Sequence, residues 1–391
     1  MESTPNAQLI PRLPVLGWAS FGGARRAPIP SVLDQPHVLF TTSGRAAIGL
    51  ALRALAVAPG DKVLVPTFHC PTMIAPVVNA GAEPLFFPIS DTGSVDLDYL
   101  GRMDLRRVRA ILAAHYFGVL QPMSRLRRFC DERGIALIED CAHAFFGMSD
   151  GRTVGGWGDL AIASLTKFFP VSEGGCIVSA TRLLDGFVLE SRPFIDELKS
   201  LANSIEMGTV HRRFSGMNAL LRAAFGLEGR LRGRQQSERA AVDDDFETIP
   251  AYEFDDSVIG ARIACAARWI VRSVHYARIV ELRRRNYALL ATLLAEIPGA
   301  TPHLRALPDQ AAPYVFPLRV RNAEPRYRAL RVARVPLFRW DQLWPRTPVI
   351  PGDPGRDWAN AIFQLGCHQD MTEADVRALA AIVRRIFTEV R

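Results

Sequence analysis

The strongest constraint in the sequence is an alternation running from residue 62 to residue 140. Short, nearly continuous apolar runs at Lys62–Pro66, Pro84–Ile89, Ala110–His115 and Ile135–Asp140 are separated by helical patterns at about Thr72–Ala80, Asp98–Arg109 and Pro122–Arg133. Strands without polar alternation need cover on both faces, and the helices between them are the crossovers that keep neighbouring strands parallel. This predicts an α/β fold: a large domain with a mostly parallel central sheet flanked by helices. Ligands of such sheets bind beyond the carboxyl ends of the strands. Here those ends carry Pro66–Cys70, His115–Gly118 and Glu139–His143. Two further strands, Leu160–Ser164 and Cys176–Ser179, are joined by a loop holding Lys167 and the turn Gly174-Gly175.

The 391 residues suffice for two domains. The expected division is an N-terminal arm and large domain over 1–245, variable from about 181, and a smaller C-terminal α/β domain over 246–391. The arm, residues 1–40, reads as irregular, with aromatic anchors at Trp18 and Phe21. The smaller domain is read from two helices within 258–297, a strand at Tyr314–Val320 and a last helix opened by Thr372-Glu373-Ala374-Asp375.

Only three of the 47 basic residues are lysines: Lys62, Lys167 and Lys199. Arginine cannot lose its proton and attack a carbonyl, whereas a desolvated lysine can. Lys167 lies between the apolar runs Leu160–Ala163 and Phe168–Val171, where its pKa would fall. A solvated loop lysine fits that segment equally well when it is read alone. Far upstream, Thr42 or Ser43 can cap a helix over Ala46–Leu55, and Gly44 permits close approach to its first N–H groups. That start suits a phosphate, or simply a capped core helix.

A lysine in an apolar loop, a carboxylate at a strand end and a Ser-Gly helix start together match one cofactor. Pyridoxal phosphate needs an amine for its aldehyde, a carboxylate for its ring nitrogen and a helix N-terminus for its phosphate. Other classes recede. The net charge of +7 comes without a nucleic-acid-binding motif, and the arginines are spread. No apolar run nears the length that spans a bilayer, and Met1–Pro5 lacks a secretory signal's pattern. The six cysteines show neither CxxC pairs nor regular spacing, so a cytoplasmic protein without a disulfide framework or metal site is expected. No GxGxxG follows an early strand, which disfavours a Rossmann dehydrogenase.

Seven stretches resemble the DegT/DnrJ/StrS sugar aminotransferases, a family of fold-type I pyridoxal-phosphate enzymes. They are Ser43–Ala47, Val65–Phe68, Gly81–Pro84, His115–Gly118, Ile138–His143, Gly158-Asp159 and Ser164–Gly175. The resemblance covers about residues 40–180. It implies that Lys167 is the covalent anchor and acid/base, that Asp140 pairs with the ring nitrogen, and that His143 stands near the ring's phenolic oxygen. Ser164 and the backbone at Gly44-Arg45 would bind phosphate. At the position of the family's ring-stacking aromatic, register gives Cys70; its neighbour His69 is the expected stacker. The spacing from Asp159 to Lys167 is two residues shorter than the family's loop. The implied activity is transfer of an amino group, commonly from glutamate, to the keto group of a nucleotide-linked sugar, by a homodimer. A non-sugar carbonyl acceptor, or a non-catalytic sensor or scaffold, is the alternative.

Overall fold

The computed structural model describes residues 10–22, 28–231, 253–309 and 311–390. Its strands are β1 His37–Thr41, β2 Lys62–Pro66, β3 Glu83–Phe87, β4 Val108–Ala114, β5 Ala136–Asp140, β6 Met148–Ser149, β7 Arg152–Thr153, β8 Leu160–Ser164, β9 Gly175–Ser179, β10 Ala300–Pro302, β11 Val315–Val320, β12 Leu337–Phe338 and β13 Ile362–Gly366. The helices are α1 Gly44–Ala54, α2 Pro71–Asn79, α3 Leu97–Leu100, α4 Ser124–Arg133, α5 Phe194–Val210, α6 Asn218–Leu231, α7 Cys265–Ser273, α8 Tyr276–Leu293, α9 Ala323–Val332, α10 Gly355–Ala361 and α11 Glu373–Glu389.

The large sheet has the order β1-β9-β8-β5-β4-β2-β3. All its pairs are parallel except those made by β9, which runs against both β1 and β8. The carboxyl ends of β2, β4, β5 and β8 therefore share one edge, and α1 starts at that edge because it follows β1. Ser43 makes the cap: its hydroxyl accepts from the Ala46 N–H at 3.1 Å. A four-stranded antiparallel sheet, β10-β11-β13-β12, carries the smaller domain. The Thr372–Asp375 capping box opens α11 as the spacing predicts.

Three expectations change. The helix expected over Asp98–Arg109 is a single turn, α3; Gly101 closes it, and Arg107 takes a left-handed φ of 64° just before β4. The arm is not irregular throughout, since His37–Thr41 pairs with β9 as edge strand β1. The expected boundary at 245/246 lies outside the described residues. The packing beyond it is plain, however. Ile259, Ile263, Ile270 and Ile279 join the core of the large sheet, and the smaller core takes over within α8 at Tyr287. α7 and the start of α8 thus belong by packing to the large domain.

Candidate active site

One cavity of about 440 Å³ opens at the carboxyl edge of the large sheet. Gly44, Arg45, Asp140, His143, Ser164 and Lys167 all line it. Six expected site residues from three separate stretches are thereby brought to one cavity.

Lys167 closes a single 3-10 turn, Leu165–Lys167, directly after β8. Its Nζ lies 5.2 Å from the centre of the Tyr314 ring. The residue is half-buried and lines the cavity. Burial lowers its pKa below the ordinary 10.5, opposed by the nearby Cys70 and Asp140. The turn is gripped from α8 and from the segment before α11. Arg283, fully buried, donates to the Lys167 carbonyl at 2.7 Å and to the Pro313 and Tyr314 carbonyls, and Gln369 donates to the Phe168 carbonyl at 2.9 Å. Burial brings the Arg283 pKa down to about 10.

Asp140 ends β5, in register with Ala114 of β4 and Ile162 of β8. Its carboxylate accepts the Ala142 N–H at 2.8 Å. Burial raises its pKa, opposed by that N–H, by Lys167 and by His115. The preceding Glu139 points to the other face and is saturated. It accepts N–H groups from Gly155, Trp157 and Gly158, and His115 Nε2 at 3.0 Å. The Gln121 N–H donates to His115 Nδ1, so Nε2 carries the proton. His115, Glu139 and Cys141 lie close enough to suggest a metal cluster, but the Glu139 oxygens are already filled by four donors. That pair is a brace beneath Asp140.

The start of α1 makes the second half of the cavity wall. The Gly174 N–H donates to the Thr42 carbonyl and the Leu165 N–H to the Gly174 carbonyl, tying the Lys167 loop to the helix start. A Cβ on Gly175 would sit 2.3 Å from the Ser43 carbonyl carbon, and one on Gly44 would meet Ser164 Cβ at 3.3 Å. The glycines permit this approach. The free N–H groups of an eleven-residue helix consequently face the hydroxyls of Ser164 and Thr166, which lie 3.4 Å apart.

His143 is wholly buried, its ring 4.4 Å from Tyr314 and 4.7 Å from Trp340. Burial, and secondarily Lys167, push its pKa well down, so the ring is neutral. Neither ring nitrogen has a hydrogen-bond partner. Two buried orphaned nitrogens on a cavity wall point to a ligand that supplies the missing partner.

His69 departs from expectation. Its side chain turns away from the cavity: Nδ1 meets the Pro66 carbonyl at 2.9 Å, Nε2 accepts from the Trp344 N–H at 3.0 Å, and the ring lies beside Phe86. A histidine held at both nitrogens in this way is not free to stack on a ring. Cys70 lines the cavity instead, its sulfur 2.7 Å from the Thr72 hydroxyl. The aromatic surfaces come from elsewhere: Tyr314 precedes β11, and Trp340 follows β12. Neither residue, nor Arg283, was expected at the site. No local spacing marks them, because their places are set by how the smaller domain closes on the larger.

The donor set fits pyridoxal phosphate. A desolvated amine, a buried carboxylate, a hydroxyl-lined helix start and an orphaned imidazole share one cavity. Comparison with known proteins agrees. Residues 29–188 match the sequence model of the DegT/DnrJ/EryC1/StrS aminotransferase family. Over 175 residues the chain is 32% identical to a GDP-perosamine synthase of Vibrio cholerae, covering 43% of this chain and 48% of that one. Over 219 residues it is 30% identical to a UDP-N-acetyl-3-dehydro-alpha-D-glucosamine 3-aminotransferase of Acidithiobacillus ferrooxidans, covering 53% and 56%. The chain thus spans about half the length of the curated relatives it matches. Among solved structures, the Helicobacter pylori aminotransferase PseC superposes with a TM-score of 0.65 at 16% identity, over 92% of this chain and 88% of that one. Fold therefore extends well beyond the matched stretch. The central sheet and its helices share the fold of these solved aminotransferases, and residues 29–188 resemble the DegT/DnrJ/EryC1/StrS aminotransferase family.

Proposed function

We propose that this protein is a pyridoxal-phosphate-dependent aminotransferase, which passes an amino group from glutamate to the keto group of a nucleotide-linked sugar. The observation that carries the reading is the partly desolvated Lys167 amine sharing one cavity with Asp140 and the α1 start. Bound there, pyridoxal phosphate supplies an electrophilic carbonyl and an electron-withdrawing ring.

The chain's own groups divide the work. Lys167 is the covalent anchor and, once released, the base and acid that moves a proton at the reacting carbon. Asp140, buried and carrying a single backbone hydrogen bond, keeps the ring nitrogen protonated. His143 directs a neutral ring nitrogen at the phenolic oxygen. Ser164, Thr166 and the N–H groups of Gly44 and Arg45 receive the phosphate. Tyr314 and Trp340 exclude water and offer flat faces. Arg12, Arg45 and Arg339 also line the cavity, which suits an acceptor bearing a diphosphate. The names of the two curated relatives support a nucleotide-sugar acceptor. A homodimer working in the cytoplasm on polysaccharide or secondary-metabolite precursors completes the proposal.

The aromatic lining favours a second reading, a non-sugar carbonyl acceptor with a planar part. Incubating the purified protein with glutamate and a panel of keto-sugar nucleotides decides between them. Continued release of 2-oxoglutarate, beyond the single equivalent that glutamate alone yields, is expected only with the nucleotide sugars; continued release only with non-sugar ketones selects the second reading. No turnover of any carbonyl contradicts both.

A further inference from the structure

Residues 10–16 of the N-terminal arm run from one core to the other past the cavity. Ile10 is buried in the smaller core and Leu16 in the core of the large sheet. Between them, half-buried, Arg12 and Leu13 line the cavity. The arm is held on both sides of Arg12. His368 Nδ1 accepts the Asp370 N–H at 3.3 Å, so Nε2 carries the proton and donates to the Pro11 carbonyl at 2.9 Å. On the other side, a Cβ on Gly208 of α5 would lie 2.0 Å from the Leu16 carbonyl oxygen, so the two backbones are in contact. A segment fixed at both ends presents its side chain with little freedom left to lose on binding.

The Arg12 guanidinium carbon stands 4.1 Å from the centre of the Phe338 ring. A guanidinium laid on a ring keeps its N–H groups at its edge, where they suit the paired oxygens of a carboxylate or phosphate. Gln364 is opposite Phe338 in the β12–β13 pair, so both side chains share one face of the smaller sheet. Gln364 is 1% exposed, and neither end of its amide has a hydrogen-bond partner among the described residues. A buried donor left open beside Phe338 calls for an acceptor. The other two arginines of the cavity are engaged elsewhere. Arg45 donates to the Glu253 carbonyl at 3.0 Å. Arg339 pairs with Glu324 at 2.7 Å and with Asp341, its guanidinium over Tyr327 and Phe363 of the smaller core.

We propose that Arg12 is a specificity-determining residue that reads the anionic oxygens of a substrate, either the amino donor's carboxylate or the acceptor's diphosphate. His368 is its positioning residue, holding the arm through Pro11. The inference rests on the reading of this cavity as a substrate site and names the side chain that selects for charge there.

The test is binding rather than turnover. Glutarate, and separately uridine and guanosine diphosphates, are titrated by calorimetry into the protein supplied with pyridoxal phosphate. Arg12→Gln is expected to weaken one class of probe about thirtyfold, the loss of a charge-assisted contact. A loss confined to glutarate assigns Arg12 to the donor, and one confined to the diphosphates assigns it to the acceptor. Should Arg12→Gln fail to fold, Arg12→Lys keeps the charge without the paired edge and should weaken the same probe. His368→Leu, a change outside the cavity lining, should weaken that probe about fivefold. His368→Gln, which returns a donor to the Pro11 carbonyl, should recover the affinity, whereas a merely structural histidine would show no such rescue. Equal affinities of wild type and the Arg12 variants for both classes, or no binding of either class by wild type, overturn the proposal. A loss in His368→Leu that His368→Gln leaves in place overturns the positioning role. Pyridoxal-phosphate capture, read by absorbance, should be alike in wild type and all variants; a wild type that captures none contradicts the enzymatic reading, while the titrations still decide the role of Arg12.

Discussion

Lys167 and Asp140 are shifted in opposite senses by the same burial, and both shifts have consequences in pH. The Lys167 pKa is lowered, so its reactive neutral amine is gained as pH rises through a value below 10.5. The rate of pyridoxal-phosphate capture by the cofactor-free protein is expected to climb with pH and level off below that value. An inflection at or above it would show a solvated lysine. The Asp140 pKa is raised, so its carboxylate is lost on acidification at a higher pH than in a free aspartate. Asp140→Asn should keep the covalent cofactor yet lower kcat on the order of 10²-fold or more, by analogy with the loss of one preorganised charge contact. These two residues are legible in the sequence because their chemistry is local: a scarce lysine after a strand, a carboxylate at a strand end. The neighbours His69 and Cys70 show the limit. Adjacent residues in a loop point to different sides, and which one meets the cavity follows from the hydrogen bonds His69 makes to Pro66 and Trp344. Arg283 was hidden for another reason. It is one of three successive arginines in α8, and only tertiary packing buries it while leaving its neighbours accessible.

At the scale of elements, the strands and their polar ends are legible from 62 to 179 because buried parallel strands carry no polar alternation. Single-turn helices and edge strands carry little pattern, so the sequence marks neither the end of α3 nor the start of β1. The glycine contact between β9 and the α1 start tests the phosphate-binding wall. Gly175→Ala places a methyl group against the Ser43 backbone and should destabilise the protein by about 1–3 kcal/mol, measured by denaturant unfolding. The variant should also retain pyridoxal phosphate less tightly. Unaltered stability and retention would show that the helix start is not held there. Arg283→Leu strips donors from the carbonyls of Lys167, Pro313 and Tyr314 in a dry environment. A loss of roughly 3 kcal/mol is expected, together with slower cofactor capture, since the turn that carries Lys167 loses its grip. A purely structural role would lower stability and leave the capture rate unchanged.

At the scale of the molecule, Tyr314 and Trp340 come from the C-terminal part of the chain yet pack with the core of the large sheet, where they line the cavity. The alternation of strands and helices shows that a cavity should lie at the carboxyl edge; what closes it depends on contacts between residues some 200 apart, such as Trp340 on His143. Trp340→Ala should raise KM for the keto acceptor about tenfold, the equivalent of about 1.4 kcal/mol of lost contact. The cofactor's absorbance should be unaffected. A change in the absorbance without a change in KM would place Trp340 against the cofactor alone. The central claim, that one lysine anchors pyridoxal phosphate, has a direct measurement made simple by the scarcity of lysine. The protein loaded with pyridoxal phosphate is reduced with borohydride, digested and mapped by mass spectrometry. A pyridoxyl-phosphate mass on the peptide containing Lys167, and none on those containing Lys62 or Lys199, is the predicted result. An unmodified Lys167 would contradict the account.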